Sequence, residues 1–199
     1  MMRRGLFTAA LSVFILLVWF LCAFSFELSA DMVTTGKGIQ SHTSKMYLKG
    51  EKYRMEMPGQ HQYTIFRPDK KIMWIVRPDE KSYMEIPIDP KQKPRVESKP
   101  AGEVSRKLLG SETINGHPAQ KYEITVKEGS KTDKLYQWMA TDINFPIKMA
   151  AIDGSWSIEY KNIKTSAADN LFDLPAGYKK MSIPAMPAMG GRMQPPRMP

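Results

Sequence analysis

HTSKMYLKGEKYRMEM, His42 to Met57, alternates almost without a break. Met46, Leu48, Tyr53, Met55 and Met57 fall on one side, and Lys45, Lys49, Lys52, Arg54 and Glu56 on the other. Successive side chains of a strand point to opposite faces, so a period of two describes strands with one apolar and one wetted face. Gly50-Glu51 interrupts the pattern at its middle, as a two-residue hairpin loop with glycine first does. The stretch therefore reads as two antiparallel strands.

The same period continues outward. TIFRPDKKIMWIVRPDEKSYMEI, Thr64 to Ile86, carries RPDK at Arg67 and RPDE at Arg77. Proline presets the backbone angle of a turn and aspartate bonds its own backbone, so the repeat is turn chemistry used twice in a meander, not a phosphate loop or a metal site. KIMWIV between the two turns is apolar at nearly every position. Ile72, Trp74 and Val76 point one way, Met73 and Ile75 the other. A central strand is apolar on both faces when both are shielded from water. The expectation is a curved sheet with one side of this strand lining a cavity. The other side would then lie under the proline-rich crossing DPKQKPRVESKPAGEVSRK, residues 89–107.

Strand patterns resume with LLGSETI, an Asn115-Gly116 turn, AQKYEITV, KLYQWMA, PIKMAAI, an Asp153-Gly154 turn and WSIEYKNI, and LFDLPAGYKKM closes the domain. No amphipathic helix interrupts them. Roughly ten short strands with regular turn signals define a mainly β chain: a sandwich, a barrel or a strongly curved sheet.

Two terminal segments stand apart. MMRRG followed by LFTAALSVFILLVWFLCAFSF has the basic-then-apolar order of an export signal, with a cut expected before Phe26. The apolar run also approaches the roughly 20 residues that span a bilayer, so an uncleaved inner-membrane anchor is the alternative. Both place residues 26–181 in the periplasm. Cys22, the single cysteine, lies inside this segment and follows Trp19-Phe20-Leu21. A lipid-carrying cysteine needs a small residue just before it, and the exported chain then holds no disulfide. Residues 182–199, rich in proline, glycine and methionine, are expected to stay disordered, because such a composition buries too little surface to offset ordering.

Composition narrows the chemistry. The net charge is +9. The lysines fall mostly on alternate strand positions, which describes a solvated face able to meet a membrane surface and no nucleic-acid site. No nucleophile elbow, zinc-helix motif or glycine-rich phosphate loop occurs. His42, His61 and His117 are isolated at turns. No catalytic residue, metal site or cofactor is expected, and the chain reads as a non-enzyme. Eight methionines (Met32, Met46, Met55, Met57, Met73, Met84, Met139 and Met149) fall in strand patterns, as in an apolar surface that adapts to varied partners. Met181, Met186, Met189, Met193 and Met198 recur near the end, a spacing of soft thioethers that would suit Cu(I).

LKGEKYRMEM (Leu48–Met57), FPIKMAAIDG (Phe145–Gly154) and LFDLPAGYKKM (Leu171–Met181) together resemble the LolA/LolB superfamily, the periplasmic lipoprotein carrier and its outer-membrane receptor. The likeness is to an exported branch of it and spans most of residues 26–181. It implies a single open antiparallel β half-barrel whose concave apolar face receives acyl chains, with helices as a lid. No binding residue carries over by motif. From the residues themselves, the expected apolar lining is Met46, Leu48, Tyr53, Met55, Met57, Ile72, Trp74, Val76, Met139 and Met149. The expected ligand is a lipid or the acyl chain of a lipoprotein, with rim lysines meeting an anionic headgroup. An interaction or sensor module that recognises another envelope protein without a lipid cargo is the alternative, and Cu(I) binding by the methionine tail the third reading.

Overall fold

The computed structural model describes residues 26–89 and 98–181. Residues 1–25 with Cys22, residues 90–97 of the proline-rich crossing and residues 182–199 lie outside them, and with them the expected export signal and disordered tail. Among the described residues the alternating stretches become twelve strands in one sheet. Strands β1 (Glu27–Gly36), β2 (Ile39–Lys49), β3 (Lys52–Glu56), β4 (Tyr63–Arg67), β5 (Ile72–Arg77) and β6 (Ser82–Pro87) form a first meander. A second contains β7 (Glu103–Ile114), β8 (His117–Glu128), β9 (Lys131–Ala140), β10 (Phe145–Ala151) and β11 (Trp156–Lys164), and β12 (Lys179–Lys180) ends the described chain. The order across the sheet is β12-β6-β5-β4-β3-β2-β1-β11-β10-β9-β8-β7. The two meanders therefore join where β1 pairs antiparallel with β11. The sheet is curved and open, with β7 and β12 at its edges.

The turns behave as their residues dictate. Asn115 and Gly116 have φ of 50° and 85°, and Ile114 pairs with His117 across them. Positive φ at both central residues is the tight hairpin turn whose twist matches that of its strands. RPDK and RPDE fold alike. Lys71 and Lys81 both take left-handed φ, and each donates its N–H to the proline carbonyl three residues back, at 3.0 Å.

The ladders sort the first meander into two faces. One row runs Leu28, Leu48, Tyr53, Phe66, Met73, Ile86, and its neighbour runs Ala30, Met46, Met55, Thr64, Ile75, Met84. This is the methionine face. On the other side the rows are Tyr47, Arg54, Ile65, Trp74, Glu85 and Glu56, Tyr63, Val76, Tyr83.

That second face is covered by the chain's own C-terminal segment, residues 165–181. Ala167 and Phe172 are buried in one cluster with Tyr63, Ile65, Trp74 and Val76, and Leu171, Leu174 and Tyr178 pack around it. Polar contacts hold this strap at the short 3-10 turn Asp169–Phe172. Arg54 donates from Nη1 to the Leu171 carbonyl at 3.0 Å, and Arg67 from Nη1 to the Phe172 carbonyl at 2.9 Å. Lys49 meets Asp169 at 3.1 Å, and β12 then adds to β6 in parallel.

Three sequence expectations are corrected. The cover over Trp74, among the described residues, is the strap and not the proline-rich crossing. That crossing also ends earlier than expected, because β7 begins at Glu103. No lid helix occurs among the described residues, whose helical pieces are the 3-10 turns Pro68–Lys70 and Asp169–Phe172.

Candidate functional site

The methionine face changes character across its width. Near β1 it is core: Leu28, Ala30, Met46 and Tyr53 are buried, together with Phe145, Ile147 and Tyr160 from the second meander. Phe145 and Tyr160 meet edge to face, ring centroids 5.0 Å apart. Burial raises the hydroxyl pKa of Tyr53, and pushes that of Tyr160 up to about 12. Both hydroxyls stay protonated at neutral pH and serve packing rather than proton transfer. Toward β6 the same face opens. Leu48, Met55, Phe66, Met73, Ile75, Met84 and Ile86 are all half-buried, and Met57, just past β3, is exposed. A contiguous apolar stripe thus crosses five strands with part of every side chain facing solvent.

The ten residues expected as lining do not come together. Met46, Leu48, Tyr53 and Met55 share the methionine face on adjacent strands. Ile72, Trp74 and Val76 stand on the strapped face, because Trp74 pairs with Ile65 while Met73 pairs with Phe66. A one-residue change of register exchanges the faces of a strand, and KIMWIV is apolar on both, so its letters alone do not choose. Met149 pairs with Ile158 of β11 and Gln137 of β9. Through Ile158 and Thr34 it is continuous with the methionine face, but in the second meander. Met139, also on β9, lines a separate basin. The stripe residues missed were Phe66, Met73, Ile75, Met84 and Ile86. Their signal was the second apolar set within KIMWIV and SYMEIPI.

Two buried polar side chains interrupt the same face. Ser44, opposite Met32, and Gln137, opposite Tyr122 and Met149, are fully buried, and neither the Ser44 hydroxyl nor either Gln137 amide atom has a hydrogen-bond partner among the described residues. On the strapped face, by contrast, polar groups are matched. Arg67, nearly buried, forks onto both oxygens of Asp69 and reaches Asp173 at 2.7 Å. This contact holds the Asp69 carboxyl below its usual range. Trp74 donates from Nε1 to Glu85 at 3.0 Å, and Lys180 from Nζ to the other Glu85 oxygen at 2.6 Å.

The basin at the β7–β9 end has a volume of about 470 Å³ and opens to solvent between Lys99, Arg106, Gln120, Tyr122, Met139 and Asn144. No group of three or more His, Cys, Asp and Glu side chains able to hold a metal occurs among the described residues. His61 and His117 instead pair singly with Asp79 and Asp142, at 2.6 and 2.7 Å. The methionines proposed for copper lie outside the described residues, apart from Met181.

A family model described as a domain of unknown function matches residues 26–145. No curated protein matches the sequence. Among solved structures, the chain is similar to the Mycobacterium tuberculosis lipoprotein LppX, at 17% identity and a TM-score of 0.49, covering 73% of this chain and 90% of that one. LprF from Mycobacterium bovis follows at 12% identity and 0.42, covering 76% and 89%. A LolA superfamily protein from Nitrosomonas europaea, from the superfamily that the sequence resembles, is similar at 12% identity and 0.30, covering 75% and 90%.

Proposed function

The chain belongs to the DUF4412 family, and from that premise we propose that it is an exported, non-enzymatic binding protein of the cell envelope that holds an apolar ligand on its methionine face. The ligand class is a lipid or the acyl chain of a lipoprotein. One observation carries the reading. On β3 to β6 the strapped face is sealed by Phe172 and its neighbours, while the opposite face of the same strands leaves Met55, Phe66, Met73, Ile75, Met84 and Ile86 half-open. A contiguous apolar stripe is a binding surface more often than scattered exposed side chains are. Thioethers suit a ligand of variable shape, since methionine is unbranched and polarisable. Covering the stripe yields about 0.8 kcal/mol for each methylene withdrawn from water.

Exposed Val104, Leu108 and Leu109 on the edge strand β7 favour a second reading, docking of another envelope protein without a lipid. Mass spectrometry of an organic extract from the exported chain, purified from periplasm without detergent, separates the two. The lipid reading expects an apolar compound near one per chain, retained by Lys131→Gln and lost from Ile75→Lys at unchanged fold. A clean extract from folded protein contradicts it.

A further inference from the structure

We propose that the basin at the β7–β9 end is a binding site for an anionic oxygen group, a phosphate or a carboxylate. The proposal concerns different residues from the apolar stripe and does not depend on it. Arg106 is the organising group. It donates from Nε and Nη2 to the two oxygens of Glu103, at 2.9 and 2.8 Å, and from Nη2 to the Ser98 carbonyl at 2.7 Å. Its guanidinium carbon also lies 4.8 Å from the Tyr122 ring centroid. The fork fixes the plane of the guanidinium and leaves Nη1 without a partner among the described residues. Glu103, its side chain almost buried, is held ionised by that contact. Among the described residues that line the basin, Arg106 and Lys99 together carry one positive charge more than Glu103 cancels.

The neutral groups point the same way. The Tyr122 hydroxyl donates to Oε1 of Gln120 at 2.5 Å. This bond uses the acceptor end of the amide and leaves its Nε2 donors for the basin, because an amide carries one acceptor oxygen and one two-proton donor. Asn144, at the turn between β9 and β10, adds a further amide to the lining. Lys99, the Arg106 Nη1 and the Gln120 Nε2 are all donors. Charge-assisted bonds from such donors to an oxyanion are shorter and stronger than neutral ones. Met139 adds an apolar side chain to the lining, and an anion carried on an acyl chain presents the same polar chemistry to these donors as a free anion.

Titration calorimetry on the full chain tests this with three probes: inorganic phosphate, dihexanoyl phosphatidic acid below its micelle concentration, and octyl glucoside as a neutral amphiphile. Lys99→Gln is expected to weaken a phosphate-bearing probe about fivefold, the scale of one solvent-screened charge contact. Lys131→Gln, a lysine outside the basin, should leave binding unchanged. Saturable binding of inorganic phosphate identifies a free-anion site. Binding of the phosphatidic acid alone identifies a headgroup site. Both outcomes support the proposal provided octyl glucoside binding ignores Lys99→Gln. Equal losses in the two lysine variants, or no saturable binding of either phosphate probe, overturn it. Neither failure touches the apolar stripe, whose own readout is the extracted compound.

Discussion

The two faces of β3 to β6 are made from the same strands and have opposite fates. Phe172 is fully buried against Tyr63, Ile65, Trp74 and Val76, and arginines on the sheet capture the carbonyls of the turn that carries it. Across the sheet, Met73 and Ile75 sit between those same residues in the chain and remain half-open. Apolar composition therefore does not distinguish core from binding surface. What distinguishes them is whether the chain brings its own cover.

If the strapped face is core, its variants should be costly. Phe172→Ala is expected to lower stability by about 3–5 kcal/mol, through lost transfer energy and the cavity left behind. Urea unfolding followed by tryptophan fluorescence measures it, and a loss below about 1 kcal/mol would place the strap outside the cooperative core. Arg67→Met comes next. It removes donors to Asp69, Asp173 and the Phe172 carbonyl, and hydrogen bonds to charged groups set a loss of about 2 kcal/mol. Because Asp69 and Asp173 are themselves exposed, the loss should stay below that of Phe172→Ala.

On the open face the same kind of change should matter little to folding. Ile75→Ser is expected to shift stability by about 1 kcal/mol or less, as surface substitutions do, while abolishing retention of the apolar compound. A loss as large as that of Phe172→Ala would make this face core and remove the contrast. The smallest effect concerns acid. Asp69 has its folded pKa depressed by Arg67, so its contribution is present above the unfolded value of about 3.9 and is lost as pH falls through the folded one. Asp69→Asn should therefore flatten the stability profile below about pH 4 and leave its shape at pH 7 unaltered.

The fold was legible because the signal is local. The alternation from His42 to Met57 gives two strands and their turn without reference to anything distant, and it recurs along the chain. The strap was not. Leu171 and Phe172 are held through their carbonyls by Arg54 and Arg67 more than 100 residues earlier, so no neighbouring letters announce a 3-10 turn. The start of β7 was hidden for a different reason. EVSRK has no apolar face because this part of the edge strand is largely wetted, with Val104 60% exposed, and charged letters beside prolines read as a loop. Of the candidate lining, Met46, Leu48, Tyr53 and Met55 were readable since polar residues alternate with them. KIMWIV offered two apolar sets with no polar one to break the tie, and pairing with Ile65 and Phe66 decided it. Gln137, a polar letter inside KLYQWMA, gave no hint that it is fully buried.

The face itself is tested most directly with a photoactivatable acyl chain. A fatty acid bearing a terminal diazirine is bound to the full chain, irradiated, and its attachment sites mapped by peptide mass spectrometry. Labels concentrated on Met55, Phe66, Met73, Ile75, Met84 and Ile86, sparing Tyr63, Trp74 and Tyr83, are the predicted result. Labels on Trp74 and Phe172, or spread evenly over both faces, would contradict the account, since the strap would then be the gate and the methionine face a bystander.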